Sequence, residues 1–224
     1  MVNRVYTTPK KKQSLRPPWL SAVLVLDVKR VGGAIQLSYY RHDTERHLLT
    51  LRNLHWPDDR DAILALDISF TTERVYQVIG SALSFVLNEI AITPALHKVY
   101  DLTTDVEDFP NMDYVLIAES DAQLVGVAAL VYEVENRRAM LRHLYIDRKV
   151  RGQGIGRALI DAMVTRARQY QARCLWLETQ DVNYGAIQFY QQVGFQYCGL
   201  DLSLDDRTGS AIQETAVFFM RTLR

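Results

Sequence analysis

A short glycine-rich, basic segment carries the residue types that a phosphate-binding site requires. Gly152, Gly154 and Gly156 stand at every second position between an apolar, β-branched run and a helical pattern. Glycine lets the backbone approach a ligand closely, and the first N–H groups of a helix have no acceptors within it. The helix dipole adds partial positive charge at this point, which suits a polyphosphate such as a pyrophosphate. Four basic side chains add full charges around the glycines: Arg148, Lys149, Arg151 and Arg157.

The spacing of the glycines differs from that of two common phosphate-binding loops. The Walker A pattern fails because no Lys-Ser/Thr pair follows the glycines, which also stand too close together. The dinucleotide pattern Gly-x-Gly-x-x-Gly fits Gly152 and Gly154, but Arg157 occupies its third position. The alternative to a phosphate-binding loop is a glycine-rich turn that only begins a core helix. Features elsewhere in the chain are needed to distinguish these two interpretations.

A second segment, residues 183 to 195, predicts a helix followed by the start of a strand. Asn183 is a suitable N-cap, and Gly194 ends the helix before the next apolar strand. Ala186, Phe189 and Tyr190 share one face at helical spacing. This segment begins about thirty residues after the glycine motif, a separation that the helix and one strand would fill.

Together these two segments resemble the signatures of the GNAT superfamily of acyl-CoA N-acyltransferases, Arg/Gln-x-x-Gly-x-Gly/Ala and Asn-x-x-Ala-x-x-Phe/Leu-Tyr-x-x-x-Gly-Phe. The resemblance covers roughly residues 48 to 223. It implies an α+β fold, with a mixed, mainly antiparallel central sheet flanked by helices and an N-terminal β-rich extension. It also implies acetyl-CoA as the acyl-donor co-substrate, without a metal. The residues that it places at coenzyme A are Leu144, Tyr145, Ile146, Arg151, Gly152, Gln153, Gly154, Ile155, Gly156, Arg157, Asn183, Ala186 and Tyr190.

The resemblance also implies catalytic roles. Amide formation needs a neutral amine, and a free alkyl amine is almost fully protonated at neutral pH, so a nearby base is useful. Glu178, at the end of its strand, is the first candidate, acting directly or through water. His143 is the second, because it stands where many members place an acidic base and its ordinary pKa suits proton transfer. Tyr190 is the candidate acid for the departing thiolate. Capping and packing roles are the structural alternatives for these side chains.

The segment from Leu177 to Asn183 is similar to the streptothricin acetyltransferase group, which acetylates an amine on a lysine-like arm of a cationic antibiotic. We therefore predict an N-acetyltransferase that acts on a primary amine of a small cationic molecule, streptothricin-like or polyamine-like. Arg142-His143 replaces an acidic pair of that group, which leaves the acceptor open. Five acidic residues would attract a cationic amine: Asp181, Asp201, Asp205, Asp206 and Glu214.

Three other functions fit parts of the pattern. Residues 175 to 178 are similar to the N-terminal alanine acetyltransferases of ribosomal proteins, so a peptide N-terminus or lysine is an alternative acceptor. A non-catalytic acyl-CoA-binding module would keep the glycine loop but would not need Glu178 or Tyr190. A nucleotide-binding protein would use the glycine loop alone.

Several elements must position these residues. Residues 1–18 read as a flexible basic tail, 19–47 as a β-hairpin extension, and 48–224 as the acetyltransferase domain. Within that domain, the β-branched and aromatic residues of 74–102 predict a hairpin insertion, and residues 61–67 predict a short helix. Three antiparallel strands follow, and the last runs into the glycine loop. Its helix and the apolar strand after Cys174 predict a parallel crossover.

Composition places the chain among ordinary globular proteins. Forty-eight per cent of its 224 residues are apolar and 23% are charged. The formal net charge of zero argues against a nucleic-acid or anionic-membrane partner, and the apolar runs are too short for a spanning helix. Cys174 and Cys198 lie in apolar runs and predict buried thiols, as in a reducing cytoplasm. A small-molecule or peptide amine is the expected partner, and a homodimer is compatible with the sequence.

Overall fold

The computed structural model describes residues 24–31, 33–40, 46–204 and 214–223, and the statements below concern these residues. The predicted basic tail lies outside the described residues, as do the first part of the predicted extension, Asp205 and Asp206. The described strands are β1 (Leu24–Val31), β2 (Ala34–Tyr40), β3 (Arg46–Asn53), β4 (Phe70–Ser81), β5 (Ser84–Lys98), β6 (Tyr114–Ser120), β7 (Gln123–Glu133), β8 (Arg138–Ile146), β9 (Cys174–Gln180), β10 (Gln196–Asp201) and β11 (Ala216–Thr222). The α-helices are α1 (Arg60–Leu64), α2 (Thr103–Asp108), α3 (Ile155–Gln169) and α4 (Tyr184–Gln192), and Phe109–Asn111 and Arg148–Val150 form 3-10 turns.

One large sheet dominates the structure. Its strand order is β1-β2-β3-β6-β7-β8-β9-β11-β10, and β4 and β5 form a separate antiparallel pair. Every neighbouring pair in the large sheet is antiparallel except β8 and β9, which α3 joins in a parallel crossover. The predicted α+β fold with a mixed, mainly antiparallel sheet is therefore confirmed.

Two apolar clusters cover the two faces of this sheet. The larger one packs α3 and α4 against one face, with Leu159, Ile160 and Met163 fully buried. The smaller one packs α1 and α2 against the other face, with Ile63 and Phe109 at most 1% exposed. Because helices cover both faces, strands β6 and β7 are apolar along most of their length rather than alternating.

An irregularity in β8 sets up the site. The pairing of β8 with β7 shifts register between Leu141 and His143, so Arg142 is the extra residue of a β-bulge. The parallel ladder between β8 and β9 joins only Arg138–Met140 to Cys174–Trp176 among the described residues. Both strands continue beyond this ladder, β8 to Ile146 and β9 to Gln180, so they diverge toward their carboxyl ends.

The structure corrects three local predictions. Cys198 is exposed rather than buried, because it sits at a bulge of the outermost strand, β10. The first helix ends at Leu64, earlier than predicted. Helix α2 was not predicted at all. It is a six-residue helix, and the side chain of Asp101 accepts a hydrogen bond from Thr103 N (2.9 Å) just before it.

Candidate active site

The glycine loop between β8 and α3 is held by hydrogen bonds from its own basic residues. Arg151 donates from Nε to the carbonyl of Ile146 (3.1 Å) and from Nη1 to the carbonyl of Ser69 (2.8 Å). Arg148 pairs with Asp67 through Nε at 3.1 Å. These contacts tie the loop to the segment before β4, so two of the four predicted basic residues fix its shape as well as its charge.

The three glycines of the loop do different things. Gly152 and Gly154 have φ angles of +77° and +85°, a left-handed region that side chains with a Cβ rarely enter. Gly154 is the N-cap of α3. The first N–H groups of that helix therefore lie at the loop and have no acceptors within the helix. Gly156 instead serves packing, because a Cβ there would lie 3.0 Å from Cζ of Phe189 on α4.

The opening between β8 and β9 brings together the predicted acid and base. Glu178 is half-buried on β9, two residues beyond the last ladder pair, and its Oε1 accepts a hydrogen bond from Gln180 Nε2 (3.2 Å). Tyr190 on α4 is 9% exposed and packs edge-on against Phe195. Burial raises the pKa of Tyr190, and the nearby Tyr100 phenol and Glu178 carboxylate add to the effect. The phenol therefore stays protonated at neutral pH, as an acid must.

The N-terminus of α4 matches its predicted cap. Asn183 Oδ1 accepts a hydrogen bond from Ala186 N at 3.2 Å, as expected for an N-cap residue. Its Nδ2 donates to the hydroxyl of Tyr100 at 3.4 Å. The amide of Asn183 thus has two protein partners, and Ala186 lies half-buried beside it.

Tyr100 is a site residue that sequence reasoning missed. Its hydroxyl donates to Gln180 Oε1 (3.1 Å), and the Lys98 ammonium lies 4.7 Å from its ring centroid. Burial raises the pKa of Tyr100, with a further contribution from the charge of Glu214. Nothing in the sequence marks this tyrosine, which lies near the end of the predicted hairpin insertion (74–102) and contacts a residue 80 positions later along the chain.

His143 lies on the α1 and α2 side of the sheet. Beyond the bulge, His143 pairs with Ala129, a residue of the smaller apolar cluster, and its ring contacts Phe109 edge-on at 5.3 Å. The ring is 7% exposed. Burial lowers the pKa of His143, although the charge of Asp105 opposes the effect. Leu144 and Ile146 point to the opposite side and pack against the larger cluster.

The β4–β5 hairpin stands beside the carboxyl ends of β9 and the start of β11. Tyr76 N donates to the carbonyl of Asp181 (3.0 Å), and the Tyr76 ring stacks on Tyr184 at 5.7 Å. A cavity of about 450 Å³ lies between the hairpin and these ends, with Asp181, Thr215 and Leu202 in its lining. Leu202 and Thr215 lie in the chain on either side of residues 205–213, which are outside the described residues.

The described acidic residues that were predicted to attract an amine already have partners. Asp181 is 6% exposed and accepts a hydrogen bond from Thr215 N (3.0 Å), and burial raises its pKa. Asp201 accepts from Ser203 N at 2.7 Å, and Glu214 pairs with Lys98. Asp205 and Asp206 lie outside the described residues.

The described part of the chain contains neither a cluster of metal-binding side chains nor a membrane-spanning helix. Residues 24–204 and 214–223, apart from the gaps noted above, contain no group of three or more His, Cys, Asp or Glu side chains that could hold a metal ion. None of the described helices combines the length and apolar character that a membrane-spanning segment requires.

Comparison with known proteins adds an independent observation. The profile of the Acetyltransferase (GNAT) family matches residues 73–195. The streptothricin acetyltransferase of Streptomyces lavendulae is 36% identical over 162 residues, which are 69% of this chain and 85% of the relative.

Two solved structures superpose on the chain. Nourseothricin acetyltransferase does so with a TM-score of 0.71 at 34% identity, over 79% of this chain and 99% of the other. A protein of Bacillus anthracis str. Ames, assigned as a streptothricin acetyltransferase and solved in complex with acetyl coenzyme A, has a TM-score of 0.66 at 24% identity. The superposition covers 78% of this chain and 99% of that one, and this second likeness concerns the fold.

Proposed function

The chain belongs to the GNAT acetyltransferase family and is an N-acetyltransferase, and from this premise we propose that it transfers the acetyl group of acetyl-CoA to a primary amine of a streptothricin-like cationic molecule. The relative from Streptomyces lavendulae and nourseothricin acetyltransferase, both more than 30% identical, support this acceptor class. The divergence of β8 and β9 beyond Met140 and Trp176 is the single structural observation that carries the proposal.

The residues around this opening fit acetyl-CoA. Beyond the ladder, the β9-facing edge of β8 at Leu144–Ile146 has no strand partner among the described residues, so an extended pantetheine arm can pair with it like an added strand. The pyrophosphate would lie at the loop from Arg151 to Arg157, where the α3 N-terminus offers N–H groups. Gly152 leaves open space there, since no atom lies within 4 Å of a Cβ built on it.

Acetyl-CoA supplies the acetyl group as an activated thioester, and side chains of this protein move the protons. Glu178 would take the proton that the amine loses as its nitrogen forms the new C–N bond, directly or through water. Tyr190 would give its proton to the sulfur as the C–S bond breaks. Gln180, which donates to Glu178, holds the carboxylate in place. We assign Ala186 and Asn183 to the wall of the donor site.

The acceptor would enter from the other side of the opening, past the β4–β5 hairpin. The cavity of about 450 Å³ next to Asp181 has the size of a small-molecule site. The hairpin residues that line it include Tyr76, whose hydroxyl accepts a hydrogen bond from Gln188 (2.7 Å). We infer that this hairpin, rather than the glycine loop, shapes acceptor specificity. Two free thiols and the need for acetyl-CoA favour a cytoplasmic location.

An acceptor panel tests the proposal. The protein is incubated with acetyl-CoA and one amine at a time: streptothricin, spermidine, an aminoglycoside, lysine, or a peptide that begins with alanine. Release of CoA is followed with a thiol reagent, after subtraction of a protein blank because Cys198 is exposed. We expect release to depend on streptothricin, with one acetyl group added to the antibiotic by mass spectrometry.

Two outcomes would contradict the proposal. If CoA is released only with the alanine peptide, the acceptor is a peptide amine and not the antibiotic. No acceptor-dependent release with any amine, from protein that binds acetyl-CoA by calorimetry, would show that the acceptor class is wrong.

A further inference from the structure

Three side chains on the α2 side of the opening form a hydrogen-bonded chain. The Nδ1 atom of His143 lies 2.8 Å from the hydroxyl oxygen of Tyr145, and that hydroxyl donates to Oδ2 of Asp105 on α2. We propose that Asp105 binds an ammonium group of the acceptor, and that Tyr145 and His143 are positioning residues that fix its carboxylate. This inference rests on the proposed function, because it states how the acceptor of that function is recognised.

The direction of the hydrogen bonds follows from counting protons. A phenol has one hydroxyl hydrogen, and Tyr145 uses it to donate a hydrogen bond to Asp105. The hydroxyl oxygen can then only accept from His143, so Nδ1 of His143 must carry a hydrogen. Burial, and next the hydrogen bond to Asp105, raise the pKa of Tyr145, so its phenol remains a donor at neutral pH.

This arrangement makes His143 unsuitable as the general base. Its Nδ1 is occupied as a donor, and its Nε2 is buried without a hydrogen-bond partner among the described residues. A base must reach the proton that it removes. An enclosed nitrogen next to Phe109 cannot do so, whereas a ring that is held still can orient Tyr145.

Asp105 has the charge that the acceptor needs. Its side chain is 38% exposed, and within the described ranges no Lys or Arg lies within 4 Å of its carboxylate, where His143 Nδ1 is 3.9 Å away. The other described carboxylates near the opening have partners: Asp181 bonds to Thr215, and Glu214 pairs with Lys98. Asp105 is therefore a fixed anion that an incoming cation can pair with.

The location connects this anion to the reaction. Tyr145 belongs to the Leu144–Ile146 stretch of β8 that borders the opening, and the phenols of Tyr190 and Tyr100 contribute to its raised pKa. Tyr190 is the residue that we assign as the acid, and Tyr100 hydrogen-bonds to Asn183 and Gln180 beside Glu178. An ammonium group at Asp105 would thus hold the acceptor next to the proton-transfer groups.

Steady-state kinetics with streptothricin test the carboxylate. Asp105→Asn should raise the KM for streptothricin about tenfold, as expected for loss of a partly exposed charge partner, and should leave the KM for acetyl-CoA unchanged. The KM of the wild type should increase with added NaCl, and this dependence should flatten in Asp105→Asn. Asp108→Asn is the matched control, because it removes the same charge from an exposed residue of the same helix.

Substitution of His143 separates positioning from catalysis. His143→Asn keeps an N–H donor close to the Nδ1 position but cannot act as a base. We expect it to retain most of kcat and the streptothricin KM, whereas His143→Ala should raise that KM as Asp105→Asn does. Tyr145→Phe should also raise the KM for streptothricin, although it leaves the charge of Asp105 in place. This variant keeps the inference testable if Asp105→Asn does not fold.

The outcomes are distinguishable. A streptothricin KM within twofold of wild type in both Asp105→Asn and Tyr145→Phe would overturn the inference, as would loss of kcat in His143→Asn with an unchanged KM. Wild type that acetylates none of the amines tested would instead contradict the proposed function.

Discussion

Gly156 on α3 and Phe189 on α4 approach so closely that a Cβ at Gly156 would lie 3.0 Å from the Phe189 ring. This contact joins the helix that follows the glycine loop to the helix that carries Tyr190. Gly156→Ala should therefore lower the free energy of unfolding by about 1–2 kcal/mol through overpacking, measured by urea denaturation.

Gly185 provides the control for that substitution. It lies on α4, exposed, and no atom lies within 4 Å of a Cβ built on it. Gly185→Ala should stabilise the protein by about 0.5–1 kcal/mol, because alanine restricts the unfolded chain and favours helix. Equal effects of the two substitutions would show that the Phe189 contact is not tight.

The left-handed conformation of Gly154 predicts an effect on donor binding. Gly154→Ala should cost about 1 kcal/mol of backbone strain and should weaken acetyl-CoA binding about tenfold, measured by calorimetry. Gly33→Ala bears the same strain at φ +87° in the turn between β1 and β2, far along the sheet from the loop. It should lose stability but not affinity, and a similar loss of affinity in both variants would argue against a role for the loop.

Loss of the Tyr190 hydroxyl should slow the reaction without unfolding the protein. Tyr190→Phe removes the proton that we assign to the sulfur, so kcat should fall by about 100-fold or more. Thermal unfolding should be unchanged, because the ring still packs on Phe195. Tyr197→Phe on β10, where the side chain is 40% exposed, should retain full activity. A Tyr190→Phe enzyme with wild-type kcat would remove Tyr190 from the mechanism.

Glu178 has its own signature in the pH–rate profile. Glu178→Gln keeps the side chain's size but cannot accept the amine proton, so kcat should fall about 100-fold and the acidic limb of the profile should disappear. The profile is measured with saturating acetyl-CoA and streptothricin. An unchanged acidic limb in Glu178→Gln would assign the base to another group.

An ion pair distant from the opening predicts the acid stability of the fold. Arg52 donates to both carboxylate oxygens of Asp59 at 2.7 Å, and Asp59 is 7% exposed. Burial alone would raise the pKa of Asp59, but its hydrogen bonds to Arg52 and His55 N outweigh this and lower the pKa below its ordinary 3.8. As pH falls below 3.8, the unfolded chain therefore binds more protons at Asp59 than the native chain does. The contribution of the ion pair to the free energy of unfolding is present above that pH and is lost as the pH falls further below it.

Asp59→Asn tests this pH dependence. It should cost about 2–4 kcal/mol at neutral pH, because Arg52 keeps a half-buried charge with one partner fewer. Its unfolding free energy should then decline less steeply than that of the wild type as pH falls below 3.8, where the unfolded chain binds a proton at Asp59 that the native wild type resists. Asp58→Asn, on an exposed neighbour, is the control. Parallel acid-unfolding curves for wild type and Asp59→Asn would contradict the assignment.

Local patterns in the sequence were sufficient where a feature depends on neighbours along the chain. The N-cap role of Asn183 followed from its position before a helical pattern and is confirmed by its bond to Ala186 N. The parallel crossover from β8 to β9 followed from a strand, a helix and an apolar strand in sequence, and is also confirmed. The residues assigned to acetyl-CoA and to catalysis stay predictions.

Other features depend on contacts between distant segments, which no local pattern encodes. Tyr100 meets Gln180 across 80 positions, and Asp105 meets Tyr145 across 40. The bulge at Arg142 determines on which face of the sheet His143 lies. One extra residue in a strand pairing cannot be recognised from the composition of the strand or from its pattern of apolar residues. The apolar neighbours of Cys198 predict a buried thiol, but its strand lies at the edge of the sheet. The strand order, which the sequence does not show, is needed to recognise this.

The short ladder between β8 and β9 divides the sheet into a part of six strands, β1 to β8 without the hairpin, and a part of three, β9, β11 and β10. The glycine loop, which we assign to the acyl donor, follows the first part, whereas Glu178, our candidate base, belongs to the second. Three residue pairs, together with the α3 crossover, thus set the angle between the glycine loop and Glu178. A substitution that alters this angle should change turnover, because it would move our candidate base relative to the bound donor.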